Sequence, residues 1–335
     1  MDILNISKNG FLKRLDNSLF FESEDGKKIK IPILKVNIIN IYSHVSFNSD
    51  LIWFLNQNKI SLNLFNPFSY KKYGDFNYTN NRNNSKILYR QLKELYENRD
   101  DKIILLYNTL IDNMIFVLKY YQKNLTYGKE ITIIMNRLRD FKKINNIKQT
   151  LNEYMLFEGK IWVEYYSSFD IILNKSKFKF EKRTKNPPEN QLNSLISFIN
   201  MKLYSLMKNI METTQLDPKI GFLHELDGNR YSLVLDLSEI FKPLFVTKFI
   251  FNLINTQKIK LSHFNNLMLT PDGLFLVNKE WNDYMKQTIY INQLKKYVSY
   301  EYLIQLQYYK IIKYLFNINE EKLIFFNYND YLVLE

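Results

Sequence analysis

The sequence predicts an α+β fold, in which a small N-terminal, mostly antiparallel β domain precedes a larger all-helical domain. Three observations carry that expectation. Short apolar runs broken by turn dipeptides fill the first 80 or so residues, apolar residues recur at three and four beyond residue 88, and a polar, Asn-rich stretch separates the two regimes.

Phe11–Leu15, Leu19–Glu22, Lys28–Ile33 and Val36–Tyr42 read as strands, separated by Asn-Gly, Asp-Asn and Asp-Gly turn signals. Lys28-Ile29-Lys30-Ile31 alternates with period two, the mark of a half-buried strand. Asp50–Gln57 predicts one short helix before a further strand, Ser61–Asn66. Asn77–Ser85 is a polar loop, and the linker is placed at 81–88 between a β domain over 1–80 and a helical domain over 89–318. Within Leu88–Lys123, Leu92, Leu95, Leu105, Leu106, Leu110 and Met114 mark the apolar stripe of long amphipathic helices. Helical patterns continue over about 130–142, 147–173, 189–213, 237–255, 278–293 and 299–316, and residues 319–335 are left as a C-terminal tail. Pro187-Pro188 interrupts the helices, since proline lacks the N–H that a helix interior needs. No internal repeat is present.

Composition narrows the function classes. Hydrophobic residues make up 46% and aromatic residues 16% of the 335, enough for sizeable cores. Alanine is absent, which reflects an A+T-rich coding bias. The formal net charge of +12 favours a polyanionic partner, nucleic acid or an anionic membrane surface. No uninterrupted apolar run approaches 18 residues, and Met1–Gly10 has no signal-peptide core, so a cytoplasmic protein with no membrane partner is expected. The lack of cysteine excludes disulfides, cysteine zinc sites and thiol catalysis.

Only three histidines are present, His44, His224 and His263. His224 closes Ile220-Gly221-Phe222-Leu223-His224, and twelve residues later come Asp236 and Glu239, spaced i, i+3 on one face of a helix. One imidazole and two carboxylates make an oxygen-rich site suited to Mn²⁺ or Mg²⁺. The same Asp-x-x-Glu also reads as a helix cap, and a single loop histidine also reads as a satisfied polar residue. Glu158 stands in mid-helix beside Gly159, a residue that costs a helix roughly 1 kcal/mol and so calls for a packing or close-approach reason. His44 and His263 read as structural or surface residues.

Taken in order, several segments resemble the CRISPR-associated spacer-acquisition integrase/endonuclease family ("Cas one"), in its type I-B-like form. They are Asn9–Leu19, Ile31-Pro32, Lys182-Arg183-Thr184-Lys185-Asn186-Pro187-Pro188 with Asn193 and Tyr204, Gln215–Glu225 and Leu235–Pro243. The resemblance implies that Glu158, His224 and Glu239 hold a divalent metal, Mg²⁺ or Mn²⁺. It implies that Asp236 belongs to the catalytic group as a supporting acid. Two departures stand out. Trp162 and Glu164 occupy a stretch where family members often carry Arg, and Lys242 replaces a frequent Arg, keeping the charge without the bidentate fork.

The implied reaction is insertion of short DNA fragments into a CRISPR array by 3′-hydroxyl attack on a phosphodiester. The implied partners are double-stranded DNA, a second copy of the chain in a homodimer formed through the β domain, and a small nuclease-like CRISPR-associated protein ("Cas two"). Lys182, Arg183, Lys185 and Lys242 are the candidate DNA contacts. Lys175, Lys177, Lys179, Lys182, Arg183 and Lys185 form the densest basic run, which equally reads as a solvated face. The alternatives from other classes are a non-catalytic basic DNA-binding scaffold and a metal-dependent nuclease that hydrolyses branched or single-stranded DNA.

Overall fold

The structure, a computed structural model, describes residues 3–76, 84–123, 128–144, 150–174, 176–228, 230–291, 294–317 and 321–331. The strands of the N-terminal region are β1 (Ile3–Ile6), β2 (Gly10–Leu15), β3 (Ser18–Ser23), β4 (Lys28–Pro32), β5 (Ile38–Ile41), β6 (Val45–Ser46), β7 (Ser61–Phe65) and β8 (Lys72–Phe76), with α1 (Ser49–Gln57) before β7. Helices follow: α2 (Ser85–Gln91), α3 (Asp100–Gln122), α4 (Gly128–Ile144), α5 (Leu151–Tyr166), α6 (Phe169–Ile172), α7 (Gln191–Met211), α8 (Ser232–Lys242) and α9 (Phe249–Asn255). After them come the short hairpin β9 (Phe264–Asn265) and β10 (Met268–Leu269), then α10 (Pro271–Lys286). A second hairpin, β11 (Thr288–Ile291) and β12 (Lys296–Ser299), leads into α11 (Tyr300–Phe316) and the single turn α12 (Tyr328–Tyr331).

The chain divides into two compact units, one of residues 1–81 and 263–286 and one of 82–262 and 287–335. The first holds two sheets, of order β1-β5-β7-β8 and β4-β3-β2-β6. The expected antiparallel hairpins are present in β2–β3–β4, where Asp16 takes φ 53° in the two-residue turn after β2. The other sheet departs from that expectation, because β1, β5 and β7 pair in parallel. The sign was already in Ile38-Ile39-Asn40-Ile41, which is buried throughout, since a parallel strand covered on both faces has no polar alternation. Asn5, Asn40 and Asn63 lie side by side in that register and hydrogen-bond in series (3.0 and 2.8 Å), Asn63 donating to Asn40 and Asn40 to Asn5, which needs the three strands aligned this way. Leu12, Leu19, Ile39, Leu51 and Leu62 fill the core between the sheets and α1. β4 lies at a sheet edge, and its Ile29 is exposed rather than half-buried.

The second unit is built around α3, whose length and hydropathy would suit a membrane span but whose apolar window is 67% buried within the fold. α8 packs against both α3 and α7. Pro243 has no N–H for the Glu239 carbonyl, and the chain widens there into a π-helical turn, Pro243–Lys248, before resuming as α9. Four expectations change. The helix expected over 278–293 ends at Lys286, because Thr288–Ile291 pairs with Lys296–Ser299 as a hairpin, so the helical unit is not all-helical. Segment 263–286, expected in the helical domain, packs with the strands: Asn282 donates to the Ile3 carbonyl at 3.1 Å and Tyr70 to that of Leu269 at 3.3 Å. Of the linker expected at 81–88, residues 81–83 lie outside the described residues and Ser85–Leu88 begin α2, which the Asn84 side chain caps. The described part of the C-terminal tail, 321–331, contributes to the core: Phe325, Phe326 and Tyr328 are buried, and Asn113 of α3 donates to the carbonyls of Ile240 and Phe326 (2.9 Å each).

Candidate functional site

α5 starts at a capping box in which Thr150 and Glu153 satisfy each other's backbone N–H groups. Two turns on, it presents Glu158 and Trp162, spaced i, i+4 on one face. Oε2 of Glu158 is buried and has no hydrogen-bond partner among the described residues. Gly159 has no packing reason within the chain, since a Cβ there would meet nothing within 4 Å.

The His224 loop is held by α8. Asp236, fully buried, accepts the backbone N–H groups of Phe222 (2.7 Å), Leu223 (3.0 Å) and His224 (3.2 Å), and faces Nδ1 of His224 at 2.6 Å. It therefore anchors a neighbouring loop and does not cap its own helix, whose N-terminus at Tyr231 carries no side-chain cap. A carboxylate only accepts, so the imidazole donates from Nδ1 and, when neutral, keeps its lone pair on Nε2. Gly221 makes the close approach possible, because a Cβ there would lie 2.4 Å from Asp236 Oδ2.

One turn beyond Asp236, Glu239 is buried and both its oxygens are engaged. Oε2 accepts the indole N–H of Trp162 at 2.9 Å, and Oε1 pairs with the ammonium of Lys242. That ammonium also faces the rings of Tyr204 (5.3 Å) and Trp162 (5.7 Å). Burial first, and then the Glu239 carboxylate, push the Glu158 carboxyl up to about 8, with Lys242 and Lys185 acting against them. Burial pulls Lys242 down, but Glu239, Tyr204 and Glu158 together raise it above the ordinary lysine range. The Tyr107 hydroxyl of α3 donates to the Tyr154 carbonyl at 2.8 Å and is raised by burial and then by the fields of Glu158, Glu239 and Asp236. Glu158, Asp236 and Glu239, from two helices 78 to 81 positions apart in sequence, thus share one low-dielectric patch.

The other sequence candidates are placed as follows. Lys182 is exposed and paired with Glu189 at 3.6 Å. Arg183 is half-buried and fastens its loop to the start of α7, through Asn193 Oδ1 (3.0 Å) and Ser197 Oγ (2.8 Å). Lys185 is exposed, and burial of part of its surroundings with Lys242 and Arg183 nearby lowers it. Lys175 lies outside the described residues, while Lys177 and Lys179 point out between buried Phe178 and Phe180, the solvated-face arrangement. His44 is exposed against Phe68, and His263 sits in the turn before β9. Glu164 turns to Arg137 of α4 at 3.6 Å.

A family model described as CRISPR associated protein Cas1 matches residues 4–288. The chain belongs to the Cas1 family. A CRISPR-associated endonuclease Cas1 of Thermodesulfovibrio yellowstonii is 35% identical over 311 residues, 90% of this chain and 92% of that one. One from Thermotoga maritima is 33% identical over 309 residues, 91% of this chain and 94% of that one. The solved structure of a Cas1 protein from Thermotoga maritima superposes with a TM-score of 0.82 at 30% identity, over 97% of this chain and 99% of the other. A casposase bound to its integration product reaches the same TM-score at 18% identity, over 100% of this chain and 95% of that one, and so shares the Cas1 fold.

For a divalent cation the donor set is chemically suited: two carboxylates that repel each other, one buried oxygen without a partner, and an imidazole whose far nitrogen is left for a ligand bond. As the side chains stand, Lys242 occupies Oε1 of Glu239, and among the described residues no three His, Asp or Glu groups are grouped to hold a metal ion. The sequence reading missed Trp162 as a partner of Glu239, and missed Tyr107. No local pattern marks either, because both meet the site across long sequence separations.

Proposed function

We propose that this chain is a divalent-cation-dependent DNA integrase and endonuclease that inserts short DNA fragments into a CRISPR array by 3′-hydroxyl attack on a phosphodiester. The observation that carries the reading is the buried, unpartnered Oε2 of Glu158 in the field of buried Glu239, with a histidine oriented by Asp236. Carboxylates that act on one another in a low-dielectric patch are costly unless a cation joins them. Membership of a family whose curated members are named endonucleases gives that charge a phosphodiester to act on.

In this reading Glu158, Glu239 and the Nε2 nitrogen of His224 hold Mg²⁺ or Mn²⁺. The bound ion would withdraw charge from the scissile phosphate and stabilise the leaving oxygen. Asp236 keeps the imidazole in the tautomer with an outward lone pair, and Trp162 and Lys242 hold Glu239. Lys242 and Lys185 supply positive charge beside the acidic patch, where phosphate oxygens would otherwise be repelled. Joining both ends of a fragment needs two copies of the site at fixed separation, which a homodimer provides; the small nuclease-like CRISPR-associated protein would bridge such dimers on double-stranded DNA.

The test is Mn²⁺- or Mg²⁺-dependent joining of oligonucleotide 3′-ends into a repeat-bearing plasmid, with the small partner added. Wild type is compared with Glu158→Ala and His224→Ala, and loss of branched product is expected in both. Equal product from all three rejects the assignment. The endonuclease names of the relatives favour one second reading, hydrolysis of branched or single-stranded DNA, which yields shortened strands and no branched ones.

A further inference from the structure

The Trp162 indole is built into the acidic patch. Its Nε1–H donates to Oε2 of Glu239 at 2.9 Å, across 77 positions of sequence, while its ring takes the Lys242 ammonium on its face at 5.7 Å. Lys242 in turn pairs with the other oxygen of the same carboxylate. The ring is itself held, edge-on to Tyr165 (5.7 Å between centroids) and tilted against Tyr166 (5.3 Å). Glu239 thus has two donors, and both lead back to one side chain. A lone ammonium on a four-carbon stem would leave the carboxylate free to rotate with it, whereas an indole with two torsions, wedged between tyrosines, does not move with its partner.

We propose that Trp162 is the positioning residue of Glu239: its N–H fixes the carboxylate in the orientation that would receive a divalent cation, and its π face holds Lys242 beside that carboxylate. This rests on the reading of Glu239 as a cation ligand. It assigns to Trp162 the work that an outer hydrogen-bond partner does for a metal ligand, whose loss typically costs about 10–100-fold in metal affinity or activity.

The experiment uses the full chain without DNA. Binding of Mn²⁺ is followed by the electron paramagnetic resonance of the free ion for wild type, Trp162→Phe, Glu239→Ala and the double variant. Phenylalanine keeps an aromatic ring against the tyrosines and removes the donor along with the fused second ring. The expected result is a dissociation constant raised about 10–100-fold by Trp162→Phe, a wild-type circular dichroism spectrum at the assay temperature, and no further effect of Trp162→Phe in the Glu239→Ala background. Should the phenylalanine chain lose its circular dichroism signal, benzothienylalanine installed at 162 replaces it, keeping the fused ring without the N–H. Wild-type Mn²⁺ binding by the donor-less variant, with binding lost in Glu239→Ala, overturns the positioning role and leaves the cation site standing. An equal penalty in the Glu239→Ala background shows that the ring acts by packing alone and also overturns it. Wild-type binding by Glu239→Ala removes the cation site and the positioning role together.

Discussion

Asp236→Asn removes one negative charge and almost no volume, and the structure says what that change does. The carboxylate accepts three backbone N–H groups and one imidazole N–H, two on each oxygen. An amide has one oxygen, so it can serve Phe222 and Leu223 or His224, and its NH₂ must face donors on the other side. Two charge-assisted bonds at roughly 1.5–3 kcal/mol each come to about 3–6 kcal/mol before the loop relaxes. The second consequence is chemical. With the amide oxygen toward Phe222 and Leu223, its NH₂ donates to Nδ1, the ring proton moves to Nε2, and the Nε2 lone pair that the proposed cation would use is gone. Thermal melting and Mn²⁺ binding measure the two effects, and nitrogen-15 shifts of the His224 ring report the tautomer directly. A variant that melts like wild type, or whose ring keeps its proton on Nδ1 with full Mn²⁺ affinity, would refute the assignment of Asp236 as loop anchor and imidazole orienter.

Three further outcomes follow from the same geometry. Gly221→Ala brings a Cβ to 2.4 Å of Asp236 Oδ2 and 2.8 Å of the Ser232 carbonyl carbon, so it should cost about 1–3 kcal/mol or more in a melt; Gly159→Ala, with open space around it, should instead stabilise by roughly 0.5–1 kcal/mol. In chelator-treated protein, the folded chain holds a Glu158 proton up to about pH 8 that the unfolded chain releases near its ordinary 4.5. That contribution to stability is complete below 4.5 and is lost as pH rises through 8, at up to about 1.4 kcal/mol per pH unit. Melting temperatures from pH 5.5 to 9 should show a falling component that Glu158→Gln abolishes, and an identical profile in the variant would contradict the burial argument. Finally, Lys185→Ala should lower the slope of log affinity for DNA against log salt by about one without changing the melt, whereas Arg183→Ala, which frees the start of α7, should lower the melting temperature. Equal effects of the two on both measurements would argue against the division of roles.

Much of this protein is decided by local pattern. Asp16-Asn17 and Asp25-Gly26 turn the chain because left-handed backbone is cheap for those residues or short loops, and the hairpin register follows. The 3.6-residue stripes announce α3, α7 and α11, and the three-residue spacing of Asp236, Glu239 and Lys242 sets them on one face of α8 before any fold is known. What these patterns do not contain is which distant segment each face meets. The parallel pairing of β1, β5 and β7 is chosen by crossover connections and the asparagine series, not by alternation. The helical pattern that begins at 278 does not say which unit it joins, and the return of 263–286 to the strands is a matter of tertiary packing. The same holds at the site. Sequence supplies the acids, the histidine and the basic excess, but only the folded chain brings an indole from α5 to a carboxylate on α8, and a hydrogen bond depends on ångströms that no spacing along the chain encodes.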